Sequence, residues 1–147
     1  MASPAGPTRL VKPLYTARAL ATGGRSGHAV TDDGLLDVHL RPPKEMGGPG
    51  GGTNPEQLFA AGYAACFQSA LVSAGRRAGV DTSDSLVEAD VSIGTAAGGG
   101  YGLAVTLKVS IPGVDAGTTA RVAEAAHQIC PYSRATRGNI EVTLEPS

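Results

Sequence analysis

An excess of positive charge is the first thing this sequence lacks. Its 12 Lys and Arg against 13 Asp and Glu leave a net charge of −1, too little basic surplus for a phosphate backbone, so no nucleic-acid partner is expected. Long apolar runs are missing as well. No stretch of about 18 apolar residues offers a bilayer span, and the opening Met1 to Thr8 has no signal-peptide core. No membrane partner is expected, and the expected location is cytoplasmic. Cysteine is scarce: Cys66 and Cys130 stand alone, without the close spacing of a zinc ribbon or a CxxC motif. In a reducing compartment such a pair suits redox work or packing better than a permanent disulfide. Tryptophan is absent and aromatics make up 4% of the chain, but a hydrophobic share of 41% with 17% charged residues fits a folded globular protein rather than disorder. A length of 147 residues fits one domain.

What is present reads as an α+β chain of order βββ-α-ββ-α-β. Residues 1–13, with Pro4, Pro7 and Pro13, show no period and form an expected flexible leader, leaving 14–147 as the domain. Leu14 to Thr22 and Gly27 to Thr31 predict a hairpin whose glycine-flanked tip carries Arg25, and Leu35 to Leu40 a third strand stopped by Arg41, Pro42 and Pro43. The glycine-rich Gly47 to Gly52 lacks a following Lys-Ser/Thr and a buried strand before it, so it reads as a loop rather than a phosphate cradle. A helix is expected over 55–78, with Thr53 as cap and Glu56 as the capping-box carboxylate. Leu58, Phe59, Gly62, Cys66, Ser69, Ala70 and Ser73 fall near one broad face of it, and its small residues permit close packing. Val87 to Ile93 and Leu103 to Ile111 alternate as a second hairpin about Gly98 to Gly100. Ala116 to Ile129 forms an amphipathic helix ended by Pro131, and Ile140 to Leu144 a last strand.

Two thiols brought together by the fold can serve as an attacking thiolate and a second thiol that closes a disulfide after the first is oxidised. Burial as small hydrophobes is the competing reading. An ordinary thiol is mostly protonated at neutral pH, so fast attack on a peroxide needs a cation or a helix N-terminus. Cys66 lies about three turns inside its predicted helix, too deep for the helix end to help. Arg25 is the candidate cation, against the simpler reading of a solvated turn arginine. Glu56 can fix a guanidinium as well as cap the helix. On one straight helix, however, Glu56 and Cys66 are about 15 Å apart along the axis. Either the helix breaks near Gly62, or the carboxylate reaches a site in a second subunit. A zinc centre of Cys66, His127 and Cys130 is a further alternative, and Tyr132 and Phe67 are candidate walls of an apolar cleft.

The segments LYTA from Leu14, ATGGR ending at Arg25, DGLLDV from Asp33, TNPEQLFAAGYAACF from Thr53 to Phe67 and AHQICPYSRATRGNI from Ala126 to Ile140 resemble the OsmC/Ohr family. They resemble its organic hydroperoxide resistance branch best. The resemblance spans roughly residues 14 to 144, and the two cysteine-bearing segments are highly specific. It implies an OsmC-like fold of two sheets built from hairpins around central helices, in an intertwined homodimer. It also implies a metal-free, cysteine-based peroxidase that reduces organic and fatty-acid hydroperoxides to alcohols. By this likeness Cys66 is the peroxidatic thiol, Cys130 the resolving thiol, Arg25 the thiolate-stabilising cation and Glu56 its carboxylate. No cofactor is bound; the implied reductant is an external dithiol, dihydrolipoamide or a lipoylated protein. A general thiol–disulfide oxidoreductase and a noncatalytic redox-sensing or apolar-ligand module are the rival functions.

Overall fold

The computed structural model describes residues 6–147, so the expected leader begins outside the described residues; residues 6–13 are exposed and form neither helix nor strand. The chain divides into two compact units, the first ending at Pro55 and the second spanning Glu56–Ser147.

In the first unit β1 (Ala19–Thr22), β2 (His28–Thr31) and β3 (Asp37–His39) form an antiparallel sheet of order β1-β2-β3. The register pairs Thr22 with His28 and Ala29 with Val38. β1 is shorter than its sequence allows. Its partner turns away after Thr31, through Gly34 at φ 73°, so residues 14–18 have no strand to pair with. β3 is shortened for a related reason. The Leu35 and Leu36 amides are held by the side chains of Asp33 and Thr31, at 3.0 and 3.1 Å, instead of entering a ladder.

The second unit holds α1 (Pro55–Ala78), β4 (Leu86–Thr95), β5 (Tyr101–Ser110), α2 (Ala116–Ile129), α3 (Pro131–Thr136) and β6 (Glu141–Pro146). β4 and β5 form the expected hairpin, longer than predicted, and β6 joins the far edge of β5 in parallel, with Val105 facing Val142 and Leu107 facing Leu144. A parallel pair needs a crossover connection. Here α2 and α3 supply it. Asp115 caps α2 by accepting the Thr118 amide at 2.9 Å. Pro131 both ends α2 and opens α3 as its first residue, a favoured place for proline because that N–H has no helical partner. The extra helix was not expected from the sequence.

One core joins Tyr63, Phe67, Leu71 and Ala74 of α1 to Val105, Leu107 and Val109 of β5 and Val122, Ala123 and Ala126 of α2. The fully buried stripe of α1 is therefore offset by one position from the expected face, and Gly62 and Cys66 lie at its margin, half-buried. Large aromatic side chains gain more from burial than glycine and serine, and they decide which face turns inward. α1 is long and apolar enough by length and composition to cross a membrane; its aromatic stripe instead packs into this core. Because α1 starts at Pro55, Asn54 rather than Thr53 occupies the position before the helix, and Glu56 is its second residue. Thr53 forms an isolated bridge with Leu40.

α1 ends in a Schellman turn: Val80 N–H donates to the Gly75 carbonyl at 2.8 Å and Gly79 N–H to the Arg76 carbonyl at 3.3 Å, with Gly79 at φ 70°. A Cβ at Gly79 meets nothing within 4 Å, whereas one at Gly75 lies 2.5 Å from Thr82 Cγ2. Gly79→Ala is expected to cost about 1 kcal/mol, from the left-handed backbone alone. Gly75→Ala should cost more, in the range of about 1–3 kcal/mol, through overpacking. Urea unfolding checks the order, and equal losses contradict it.

Candidate redox site

Cys66 sits well inside α1, and Cys130 is at once the last cap of α2 and the first cap of α3. The Cys66 sulfur is partly accessible and the Cys130 sulfur belongs to the core. Both thiols are free, and Cys130 Sγ donates a hydrogen bond to Cys66 Sγ at 3.6 Å. A disulfide length of about 2.05 Å lies only about 1.5 Å of closure away.

The forces on the Cys66 proton oppose one another. Burial disfavours the thiolate and is the largest influence; the backbone N–H of Tyr132 favours it; charge repulsion from the neighbouring Cys130 sulfur disfavours it again. The balance holds the Cys66 thiol above its ordinary value. Thiolate chemistry at neutral pH therefore calls for a further positive group.

Tyr132 contributes more than an amide. Its ring, half exposed, packs 5.6 Å from Tyr63 and 6.3 Å from Phe59, centroid to centroid. It lies over Gly62, one helical turn before Cys66, where an added Cβ would stand 2.9 Å from the Tyr132 hydroxyl. Phe67 is fully buried in the core, and Phe59, which sequence reasoning passed over as a site residue, is the phenylalanine that meets Tyr132.

Behind the thiols runs a buried polar chain. His127 Nδ1 lies 2.7 Å from Ser133 Oγ, Ser133 Oγ 2.8 Å from the Tyr63 hydroxyl, and that hydroxyl 3.0 Å from Thr136 Oγ1, which donates to the Tyr132 carbonyl at 3.0 Å. Burial and the neighbouring Arg137 charge push His127 below its usual value, against a smaller opposing pull from Glu124. Arg137 Nη1 also donates to the His127 carbonyl at 2.6 Å, closing the end of α2. No group of three or more His, Cys, Asp or Glu side chains able to hold a metal occurs among the described residues. The periodicity of the sequence offers no signal for this chain, since serine, threonine and tyrosine carry no spacing rule of their own.

Arg25 occupies the 3-10 turn Gly24–Ser26 of the first unit. Gly23 and Gly24 adopt φ 73° and 56°, and a Cβ at Gly27 would overlap the Thr22 carbonyl at 1.7 Å, so glycine is needed at this turn. Arg41 Nη1 braces the turn by donating to the Ser26 carbonyl at 2.8 Å and the Leu40 carbonyl at 2.6 Å. Sequence reading treated Arg41 only as the end of a strand. Glu56, half-buried, stands on the same unbroken α1 as Cys66, so the expected separation of about 15 Å along the axis applies and no break at Gly62 shortens it.

Residues 48–145 match the family model of the OsmC-like proteins. The chain is 51% identical over 140 residues to an organic hydroperoxide resistance protein of Xanthomonas axonopodis pv. citri, covering 90% of this chain and 94% of that one. Among solved structures, an organic hydroperoxide resistance protein from Elizabethkingia anophelis superposes with a TM-score of 0.84 at 49% identity, covering 93% and 100% of the two chains. One from Legionella pneumophila does so with 0.85 at 46%, covering 91% and 98%.

Proposed function

Since the chain belongs to the OsmC-like family and is half identical to a protein named for organic hydroperoxide resistance, we propose that it is a cysteine-based peroxidase reducing organic and fatty-acid hydroperoxides to alcohols. The observation that carries this reading is the 3.6 Å contact between a partly accessible and a buried thiol. The Cys66 thiolate attacks the distal peroxide oxygen; the O–O bond breaks, the alkoxide takes a proton and leaves as alcohol, and Cys66 becomes a sulfenic acid. The Cys130 sulfur then attacks the Cys66 sulfur, displacing water and forming the disulfide. An external dithiol, dihydrolipoamide or a lipoylated protein, reduces that disulfide by exchange and is itself oxidised to a cyclic disulfide. No bound cofactor or metal takes part, and the cycle runs in the cytoplasm.

Arg25 is the further positive group that the raised Cys66 thiol calls for, and Glu56 orients its guanidinium. The aromatic wall of Tyr132 favours alkyl over hydrogen peroxide, since each buried methylene contributes up to about 0.8 kcal/mol. Phe67 supports that wall from the core. The helix geometry bars Glu56 from a Cys66 on its own α1, so in a homodimer it serves the partner's site.

With dihydrolipoamide in excess, purified protein should consume cumene hydroperoxide through many turnovers. Cys66→Ser should abolish this, while Cys130→Ser should complete one turnover and accumulate sulfenic acid visible by mass spectrometry. Faster turnover of a disulfide substrate than of any peroxide would favour a general oxidoreductase, and disulfide formation without sustained turnover a sensor.

A heterodimer of Cys66→Ser and Glu56→Ala chains should regain activity toward half of wild type, because both defects then share one site. Absence of recovery in verified heterodimers, or a monomer by light scattering, would mean that each chain builds its own site.

A further inference from the structure

Each cysteine has a polar anchor one helical turn upstream: Tyr63 precedes Cys66 by three residues on α1, and His127 precedes Cys130 by three on α2. Both anchors meet at Ser133 of α3, at 2.8 and 2.7 Å. The proton count along the chain fixes its direction. Thr136 has one hydroxyl proton, and the Tyr132 carbonyl can only accept it. Tyr63 must therefore donate to Thr136, Ser133 to Tyr63, and His127 Nδ1 to Ser133. This is the single arrangement in which all four contacts carry a proton. It requires His127 to present Nδ1–H, the form in which its other nitrogen is free to remain unprotonated.

The three elements so joined are those that place the sulfurs. α1 carries Cys66, the junction of α2 and α3 carries Cys130, and the first turn of α3 carries the Tyr132 amide that faces Cys66. Cys130 itself supplies no side-chain cap to α3, so the orientation of that junction rests on contacts made elsewhere. Arg137 holds the α2 carbonyl end, while the Tyr63–Ser133–His127 bridge connects both thiol-bearing helices to α3 through side-chain hydrogen bonds, with Tyr63–Thr136 as a second tie between α1 and α3. We propose that Tyr63, Ser133 and His127 are positioning residues for the dithiol, setting the approach of Cys130 to Cys66 through a directional hydrogen-bond chain that must start at His127 Nδ1. The inference rests on the dithiol reading above. It adds that the effective concentration of one thiol at the other is set by groups that touch neither sulfur in the chemistry.

The test is the equilibrium between the full-length protein and the oxidised and reduced dithiothreitol couple, in which forming the protein disulfide reduces cyclic dithiothreitol to its dithiol. No peroxide is involved. Tyr63→Phe, which keeps the ring in the core, and Ser133→Ala, which breaks the same bridge at its centre, should each lower the constant for disulfide formation about tenfold, equivalent to about 30 mV. His127→Leu should do the same. His127→Asn should restore the wild-type constant, because its amide nitrogen can donate from near the place of Nδ1. Folded variants with lowered melting temperatures but an unchanged constant would show a merely structural network and overturn the proposal. So would equal behaviour of His127→Asn and His127→Leu. A wild-type protein that forms no Cys66–Cys130 disulfide in the couple would instead refute the dithiol reading itself.

Discussion

The backbone break at Cys130 is the constraint on which the rest of the redox site depends. A proline at 131 disfavours helical geometry for the residue before it, and Cys130 accordingly takes φ −64° and ψ 124°, an extended conformation between two helices. Without that break α2 would continue and carry its next residues along the same axis. With it, α3 turns and presents its first free amide to the Cys66 sulfur, while the Cys130 side chain points into the core toward the same atom. One covalent ring thus ends a helix, starts another and brings two sulfurs together.

The environment created there suits a neutral pair. Burying charge without a partner is costly, and Cys66 responds by holding its proton more tightly than an ordinary thiol. The helix that carries Cys66 cannot help, since its positive end is several turns away and its influence fades within the first. The site is therefore organised to keep a thiol protonated in the absence of an added positive charge, which makes the placement of such a charge the natural point of control over its reactivity. The turn that carries Arg25 is itself closely fixed, by glycines with left-handed backbone and by Arg41 on the Ser26 carbonyl.

Much of this was legible in the sequence, and the reasons differ by element. α2 could be read to the residue because its apolar stripe has a clear period and Pro131 stands just beyond its end; the Asp115 cap became visible only in the structure. The Arg25 turn was legible because glycines surround it. β1 was over-read: Leu14 to Arg18 have strand-compatible side chains, but pairing depends on a partner whose length local propensity does not reveal. α3 was missed because Pro131 was read only as a stop, though the same residue is favoured as a start. The buried face of α1 was misplaced by one position because small residues were counted equally with aromatics. Tyr63, Ser133 and Thr136 stood inside recognisable segments, yet their mutual contacts span three elements and depend on the tertiary fold. Family likeness named the cysteines; only the packed structure shows what surrounds them.

The parallel seat of β6 beside β5 carries a consequence for how the protein is made. An antiparallel hairpin such as β4–β5 can form as soon as its second strand leaves the ribosome, but β6 must await nearly the whole chain before it can dock at Val105 and Leu107. The crossover that holds Cys130 is tethered at both ends only then. During synthesis Cys66 emerges long before Cys130 has a fixed place, so the 3.6 Å meeting of the two sulfurs is among the last contacts the chain acquires, conferred by a strand that bears no cysteine at all.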